Sequence, residues 1–376
     1  MMLPLRTRRL LLARLLLALP LLLAPPALRA QGADEAGRHH RPVSVLADRS
    51  LTVAPGARLL LFASADLERP HPELTRAVIV LHGRLRDADA YFDTGLAARE
   101  EAGAAGKGTL VVAPQFLAET DWAAYGLPAD VLHWSLEGWQ GGEDALRPQP
   151  LSSFDALDAL LARLGDRTLF PNLSRIVVAG HSGGGQVAQR YAILSRAGDA
   201  LGQRGVRVSV VVANPSSYAW FTPERPGPTV GCPGYDRWKY GMRDLPRYAA
   251  GADPKALEAA YVARPVTYLL GSRDTDPDHP ALDRSCMAEA QGPFRLARGE
   301  FYWEALRARH PDLRQPLHIV PGVGHSGRRM LGSACGLAAL FDAPGCGQTA
   351  GTDPATKSTT GPAAEPASSA GHARTR

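Results

Sequence analysis

The run Arg175-Ile176-Val177-Val178-Ala179-Gly180-His181-Ser182-Gly183-Gly184-Gly185-Gln186-Val187-Ala188 changes character twice within 14 residues. Arg175 to Ala179 is apolar and β-branched, the pattern of a buried strand. From Gly185 to Ser195 the residues are good helix formers. Between them stands Gly180-His181-Ser182-Gly183-Gly184, a Gly-x-Ser-x-Gly pentapeptide. On a strand-to-helix turn this is a nucleophile elbow. The turn is so sharp that side chains flanking the Ser would clash, so glycines stand there. Ser182 is then presented at the mouth of a sheet, with a helix N-terminus behind it to favour a developing oxyanion. The pentapeptide alone is weak evidence; its context makes Ser182 the candidate nucleophile. A phosphate-cradling loop is disfavoured, because no Lys-Ser/Thr pair follows, and the elbow region does not supply the Gly-x-Gly-x-x-Gly of a dinucleotide fingerprint. His181 reads as a packing residue.

A hydroxyl needs a base to take its proton before it attacks at neutral pH. Pro265 to Gly271 reads as another buried strand, with Ser272-Arg273-Asp274 at its carboxyl end. Leu317 to Val320 reads as the last strand, followed by Pro321-Gly322-Val323-Gly324-His325-Ser326-Gly327 and a helical segment from Arg328 to Phe341. His325 is the candidate base and Asp274 the candidate acid. Asp276 and Asp278 in the same loop, and Asp244 before it, remain alternatives. The order Ser182, Asp274, His325 is that of one hydrolytic architecture. On the elbow, the late carboxylate and the His loop, residues 75 to 342 resemble the α/β-hydrolase fold superfamily, in the manner of a secreted serine esterase or lipase.

The resemblance extends to an early strand, Arg76 to Leu81, that ends in His82-Gly83-Arg84. Members often carry His-Gly there, with a backbone N–H just beyond it that donates to the oxyanion. It implies an oxyanion hole from the backbone of Arg84 or Gly83 together with Gly183. The expected activity is cleavage of carboxylic esters in small-molecule or polymeric substrates through a Ser-His-Asp triad. The alternatives are a peptidase or amidase with the same triad, or a non-catalytic envelope-binding protein on the same fold.

Residues 1–30 read as a secretory signal peptide: Arg6, Arg8 and Arg9 precede an apolar stretch from Leu10 to Leu23, with cleavage after Ala30. Thr7-Arg8-Arg9-Leu10-Leu11-Leu12 also looks like a twin-arginine signal. Arg14 and Pro20 interrupt the stretch, which argues against a stable membrane anchor. The expected location is secreted or periplasmic. The first 30 residues hold five Arg and no acids, so removing them leaves 37 basic against 37 acidic residues. The excess positive charge therefore belongs to the export signal and offers no ground for nucleic-acid binding.

Four cysteines, an even number in a chain read as exported, make two disulfides plausible. Three connectivities exist. Cys335–Cys346 is favoured because it closes a short loop, with Cys232–Cys286 tying two insertions together. No Cys-x-x-Cys pair or His cluster offers a metal site, and nothing in the chain requires a cofactor.

Residues 31–42 read as a polar spacer, 43–342 as the hydrolase-like domain, and 343–376 as a low-complexity, disordered tail rich in Ala, Thr, Ser, Pro and Gly. Val43 to Val53 and Arg58 to Ala63 alternate as antiparallel edge strands. Thr109 to Ala113 and Val206 to Ala213 read as core strands. Helical patterns cover Asp87 to Ala105, Ser152 to Leu164, Pro254 to Ala263 and Phe301 to Arg309. The fold class is α/β, a mostly parallel central sheet with helices on both faces. Two aromatic-rich insertions, Asp121 to Gly142 and Asn214 to Tyr248, are expected near the carboxyl ends of the strands. Trp122, Trp134 and Trp220 are their candidate pocket residues; the competing reading is that the aromatic side chains only cover the sheet.

Overall fold

Eight strands make one sheet: β1 (Arg49–Ala54), β2 (Ala57–Ala63), β3 (Arg76–Leu81), β4 (Thr109–Gln115), β5 (Arg175–His181), β6 (Arg207–Ala213), β7 (Val266–Gly271) and β8 (Leu317–Val320). Their order is β1-β2-β4-β3-β5-β6-β7-β8. β2 runs antiparallel to both its neighbours and all other pairings are parallel. The computed structural model describes residues 37–347. The signal peptide, the first part of the spacer and the tail beyond 347 lie outside the described residues.

Period-two geometry divides the strand residues between two cores. Val78 and Val80 of β3, Val177 and Ala179 of β5, and Val211 of β6 face one side. There they meet helices α1 (Ala88–Glu101), α9 (Gly327–Leu331) and α10 (Ala334–Phe341). Ala77, Ile79, Leu81, Ile176 and Val178 face the other side, against α3 (Ser153–Leu164), α4 (Gly183–Leu194) and α8 (Arg295–Arg309). Each fully buried Val, Leu or Ile in these layers contributes about 1.5–3 kcal/mol. β4 is buried at every position. That is why the central strands read as continuous apolar runs and not as alternating ones. The remaining helices are α2 (Glu119–Tyr125), α5 (Ala197–Gln203), α6 (Pro254–Ala263) and α7 (Cys286–Glu289).

Some boundaries differ from the sequence expectation for identifiable reasons. The first strand starts at Arg49, not Val43. Val43 is instead buried beside Leu117 and Val131, its N–H donating to Asp121 Oδ1 at 2.8 Å. Asp121 in turn pairs with the fully buried Arg86, whose guanidinium also donates to the carbonyls of His39 and Arg41. Helix α8 starts six residues before Phe301, because Arg295 and Arg298 are fully buried polar residues that break the apolar period. The segment 328–341 is two helices, the second capped by the Ser333 hydroxyl, which accepts from Gly336 N–H. Helix α5 contains two glycines and has little pattern to betray it.

Helix α4 is buried on every side, so its polar residues must find partners inside. Arg190 donates to the carbonyls of Gln140 and Lys239, to Gln186 Oε1 and to Ser217 Oγ. Burial lowers its pKa to about 10, which leaves it charged at neutral pH. One arginine thus ties both aromatic-rich insertions to the helix that follows Ser182. Disulfides Cys232–Cys286 and Cys335–Cys346 match the favoured pairing.

Candidate active site

Three loops at the carboxyl ends of β5, β7 and β8 converge on one point. Ser182 follows β5 with φ 58° and ψ −119°, a left-handed conformation that L-residues rarely adopt. It is held there because the N–H of Ser182 donates to Ala213 O at 3.0 Å and Gly185 leaves no room for a side chain beside that carbonyl. A Cβ on Gly180 would strike the backbone of Gly184, and one on Gly184 would strike the carbonyls of Leu81 and His82. The glycines of the pentapeptide are therefore steric requirements of the turn.

Asp274 stands three residues past β7. Its N–H donates to Gly271 O, while Ser272 and Arg273 donate to the carbonyls of Val320 and Val323, so the Asp274 and His325 loops are laced together. His325 Nε2 lies 2.9 Å from Ser182 Oγ, and its Nδ1 lies 2.8 Å from Asp274 Oδ2. Ser182 is 7% exposed and Asp274 2%. Asp276, Asp278 and Asp244 are exposed and do not reach His325; Asp278 pairs with Arg284 and Asp244 with Arg237.

The imidazole of His325 sits between two others, His181 at 4.6 Å and His279 at 5.0 Å between ring centroids. Burial, followed by the charges of Arg295, His279 and Arg84, drives the His325 pKa well below the ordinary histidine range. His181 is depressed in the same direction, again chiefly by burial. Its Nδ1 is 3.0 Å from the Tyr91 hydroxyl. Burial raises the pKa of Asp274, and Arg295, with Nη1 3.3 Å from Oδ1, opposes that rise. Arg295 is itself fully buried and also donates to Ser216 Oγ. His325 is thus neutral at pH 7, with Ser182 on one ring nitrogen and Asp274 on the other.

Beside Ser182 lies a cavity of about 140 Å³, lined by Gly83, Arg84, Leu85, Asp87, Tyr91, His181, Ala281, His325 and Gly327 as well as Ser182 itself. A Cβ on Gly183 would come within 2.9 Å of Arg84 N, so the backbone of Arg84 packs directly against the α-carbon of Gly183. Gly83 faces the Tyr91 hydroxyl instead. Of the two residues that sequence left open, Arg84 has the amide adjoining Gly183.

The candidate pocket tryptophans are elsewhere, a correction to the expectation. Trp134 is fully buried with its edge on Phe116, Trp220 packs on Tyr302 beneath the Arg225 guanidinium, and Trp122 stacks on His133. Their large apolar surfaces are spent covering the sheet, where burial is worth most. Sequence reading missed Asp87, Tyr91, His279 and Arg295. Tyr91 lies one helical turn after Asp87, a spacing that carries a signal once Asp87 is placed beside His82-Gly83; no local signal marks Arg295. Among the described residues, one group has metal-ligand proximity, His318 with Cys335 and Cys346, and both sulfurs are in a disulfide.

No protein-family model matches the sequence, and a search of curated proteins finds no match. Solved structures do match. Poly(aspartic acid) hydrolase-1 from Sphingomonas sp. KT-1 is 26% identical with a TM-score of 0.54, covering 77% of this chain and 96% of that one. The poly(3-hydroxybutyrate) depolymerase LpqC from Bordetella parapertussis is 22% identical with a TM-score of 0.57, covering 84% and 96%. The chain has the α/β-hydrolase fold, an eight-stranded and mostly parallel sheet with helices on both faces.

Proposed function

We propose that this protein is an exported serine hydrolase that cleaves carboxylic esters by way of an acyl-enzyme. Ser182 Oγ attacks the acyl carbon while His325 Nε2 takes its proton. The amides of Gly183 and Arg84 hold the oxyanion. His325 then protonates the leaving alcohol, and the acyl group remains on Ser182. Water, deprotonated by His325, attacks that ester; as the acyl–Oγ bond breaks, His325 returns the proton to Ser182 Oγ, and the acid leaves. Asp274 holds the imidazole by its Nδ1 and stabilises its charged form, and Arg295 fixes the Asp274 carboxylate. The observation that carries this reading is the unbroken chain Ser182 Oγ–His325–Asp274 at 2.9 and 2.8 Å.

Export is supported by two disulfides and by the arginine-led apolar N-terminus of the sequence. No helix among the described residues is long and apolar enough to cross a membrane. A second reading, amide cleavage by the same groups, is favoured by the likeness to a hydrolase of poly(aspartic acid). Fluorophosphonate labelling of the oxidised protein, with the peptide mapped by mass spectrometry, tests the nucleophile. Turnover of p-nitrophenyl esters against p-nitroanilides separates the two bond types. Labelling at Ser182 with ester turnover is expected. A folded protein that neither labels nor turns over either substrate sinks the reading in favour of a binding protein.

A further inference from the structure

We infer that Asp87 is a specificity residue of the Ser182 site, accepting a hydrogen bond from a hydroxyl or ammonium group on the acyl part of the substrate. The inference rests on the hydrolase reading above and names its substrate class: a polar hydroxyacyl or aminoacyl compound, in place of a plain fatty acyl one.

Three observations converge. Asp87 lines the same 140 Å³ cavity as Ser182 and His325. It occupies the residue before helix α1, where an Asp ordinarily accepts from the amides of the first turn; here no such cap bond forms. Its Oδ1 is buried and has no hydrogen-bond partner among the described residues. A buried carboxylate oxygen that forgoes the nearest donors is costly to keep unless something else donates to it. The cavity wall joins polar groups from Arg84, Tyr91, His181, Ser182 and His325 to apolar surface from Leu85, Ala281 and the Tyr91 ring. At about 140 Å³ it has little room for a long alkyl chain. A donor group near the reacting carbonyl finds an acceptor.

The charges around Asp87 come from several elements. Burial pushes its pKa up to about 6, and Asp89 on α1 adds to that rise; the Asp87 backbone N–H, Arg38 of the N-terminal segment and Arg86 of the same loop favour the charged form and oppose it. Arg84, Tyr91, His181 and His325 complete the ionisable wall of the cavity. Above that pKa the carboxylate accepts and attracts cations; below it the neutral acid loses the attraction.

The test uses matched p-nitrophenyl esters. The 3-methylbutanoyl, 3-hydroxybutanoyl and 3-aminobutanoyl esters differ only by methyl, hydroxyl or ammonium on one carbon. The 2-methylpropanoyl, lactyl and alanyl esters make the same comparison one carbon nearer. In at least one set, the hydroxyl or ammonium ester should exceed the methyl ester by about tenfold or more in kcat/KM, the size expected when a buried acceptor gains its donor. Asp87→Leu should bring the ratios near one. Asp87→Asn should keep a hydroxyl preference and lose an ammonium preference, which tells the two donors apart. For wild type, a preference for ammonium should shrink between pH 7.5 and pH 5, and the shared His325 base cancels from that ratio. This arm decides the matter if Asp87→Leu does not fold. Ratios near one in both sets for wild type, or ratios unmoved by Asp87→Leu, overturn the inference. If the methyl esters turn over and Ser182 labels while the ratios stay near one, the specificity inference alone has failed. If nothing turns over or labels, the hydrolase reading has failed and takes this inference with it.

Discussion

The two ends of the sheet carry unlike clefts. At the carboxyl ends is the 140 Å³ cavity where Ser182, His325 and Asp274 meet. At the amino ends is a much larger one, about 880 Å³, where Arg76, Lys107, Arg175 and Arg207 face a lone carboxylate, Asp342, which Arg76 and Arg175 share. The larger cleft has several cations, and its hydroxyls on Thr75 and Ser174 have no imidazole beside them. The smaller one brings a hydroxyl, an imidazole and a carboxylate together from three different loops. Size therefore says little about where chemistry happens. Convergence does, because parallel strands aim their following loops at one rim of the sheet.

The comparison breaks if substitutions at the two ends have similar effects. Ser182→Ala or His325→Ala should each lower ester turnover by roughly 10⁶-fold, and Asp274→Asn by roughly 10⁴-fold. Arg207→Gln, at the other end, should stay within about twofold, as surface changes do. Steady-state kinetics on purified, folded variants reads all four.

Buried Arg295 sharpens the contrast. It opposes the protonation of both His325 and Asp274, and its removal leaves Asp274 buried without its cation. Arg295→Met should cost about 3–5 kcal/mol of stability by denaturant titration. It should also move the acid limb of kcat/KM to higher pH, because His325 then holds its proton more readily. Arg295→Lys, which keeps the charge, should leave that limb closer to wild type.

On the proposed mechanism His325 must be neutral to act, and burial holds its pKa well below 6.5. Activity should therefore rise as pH climbs through a value under 6.5 and be on its plateau by neutrality. An acid limb centred above 6.5 would contradict the buried geometry.

The disulfides give the smallest expected difference. Cys232–Cys286 closes a span of 54 residues and Cys335–Cys346 one of 11. Loop entropy assigns them about 4 and about 3 kcal/mol. Cys232→Ser/Cys286→Ser should thus lower the thermal midpoint more than Cys335→Ser/Cys346→Ser, each tested as a double variant.

Much of this was readable along the chain. Central strands of a parallel sheet are apolar on both faces, so β3, β4, β5 and β7 stand out without any partner in view. The elbow is local chemistry: Gly180 and Gly184 are needed because the turn brings their α-carbons onto neighbouring backbone. Where reading failed, the determining contact was distant in sequence. Phe301 looked like the start of a helix because Arg295 and Arg298 look like surface residues. Most of their acceptors, Ser216, Asp274 and Asp283, lie on loops that only folding brings near. The tryptophans of the insertions looked like pocket walls because aromatic residues near a rim serve either purpose, and only packing shows which surface they cover.

The amino-acid sequence by itself determined the order of strands and helices, the glycine turn that presents Ser182, and the chain order of Ser182, Asp274 and His325. Those depend on periodicity and on steric limits within a few residues. The tertiary structure decided which carboxylate reaches His325, how deeply that pair is buried beside Arg295, and that Asp87 lines the cavity without capping its own helix. Distances and burial depend on what other segments bring to a point, and no short stretch of chain carries that information.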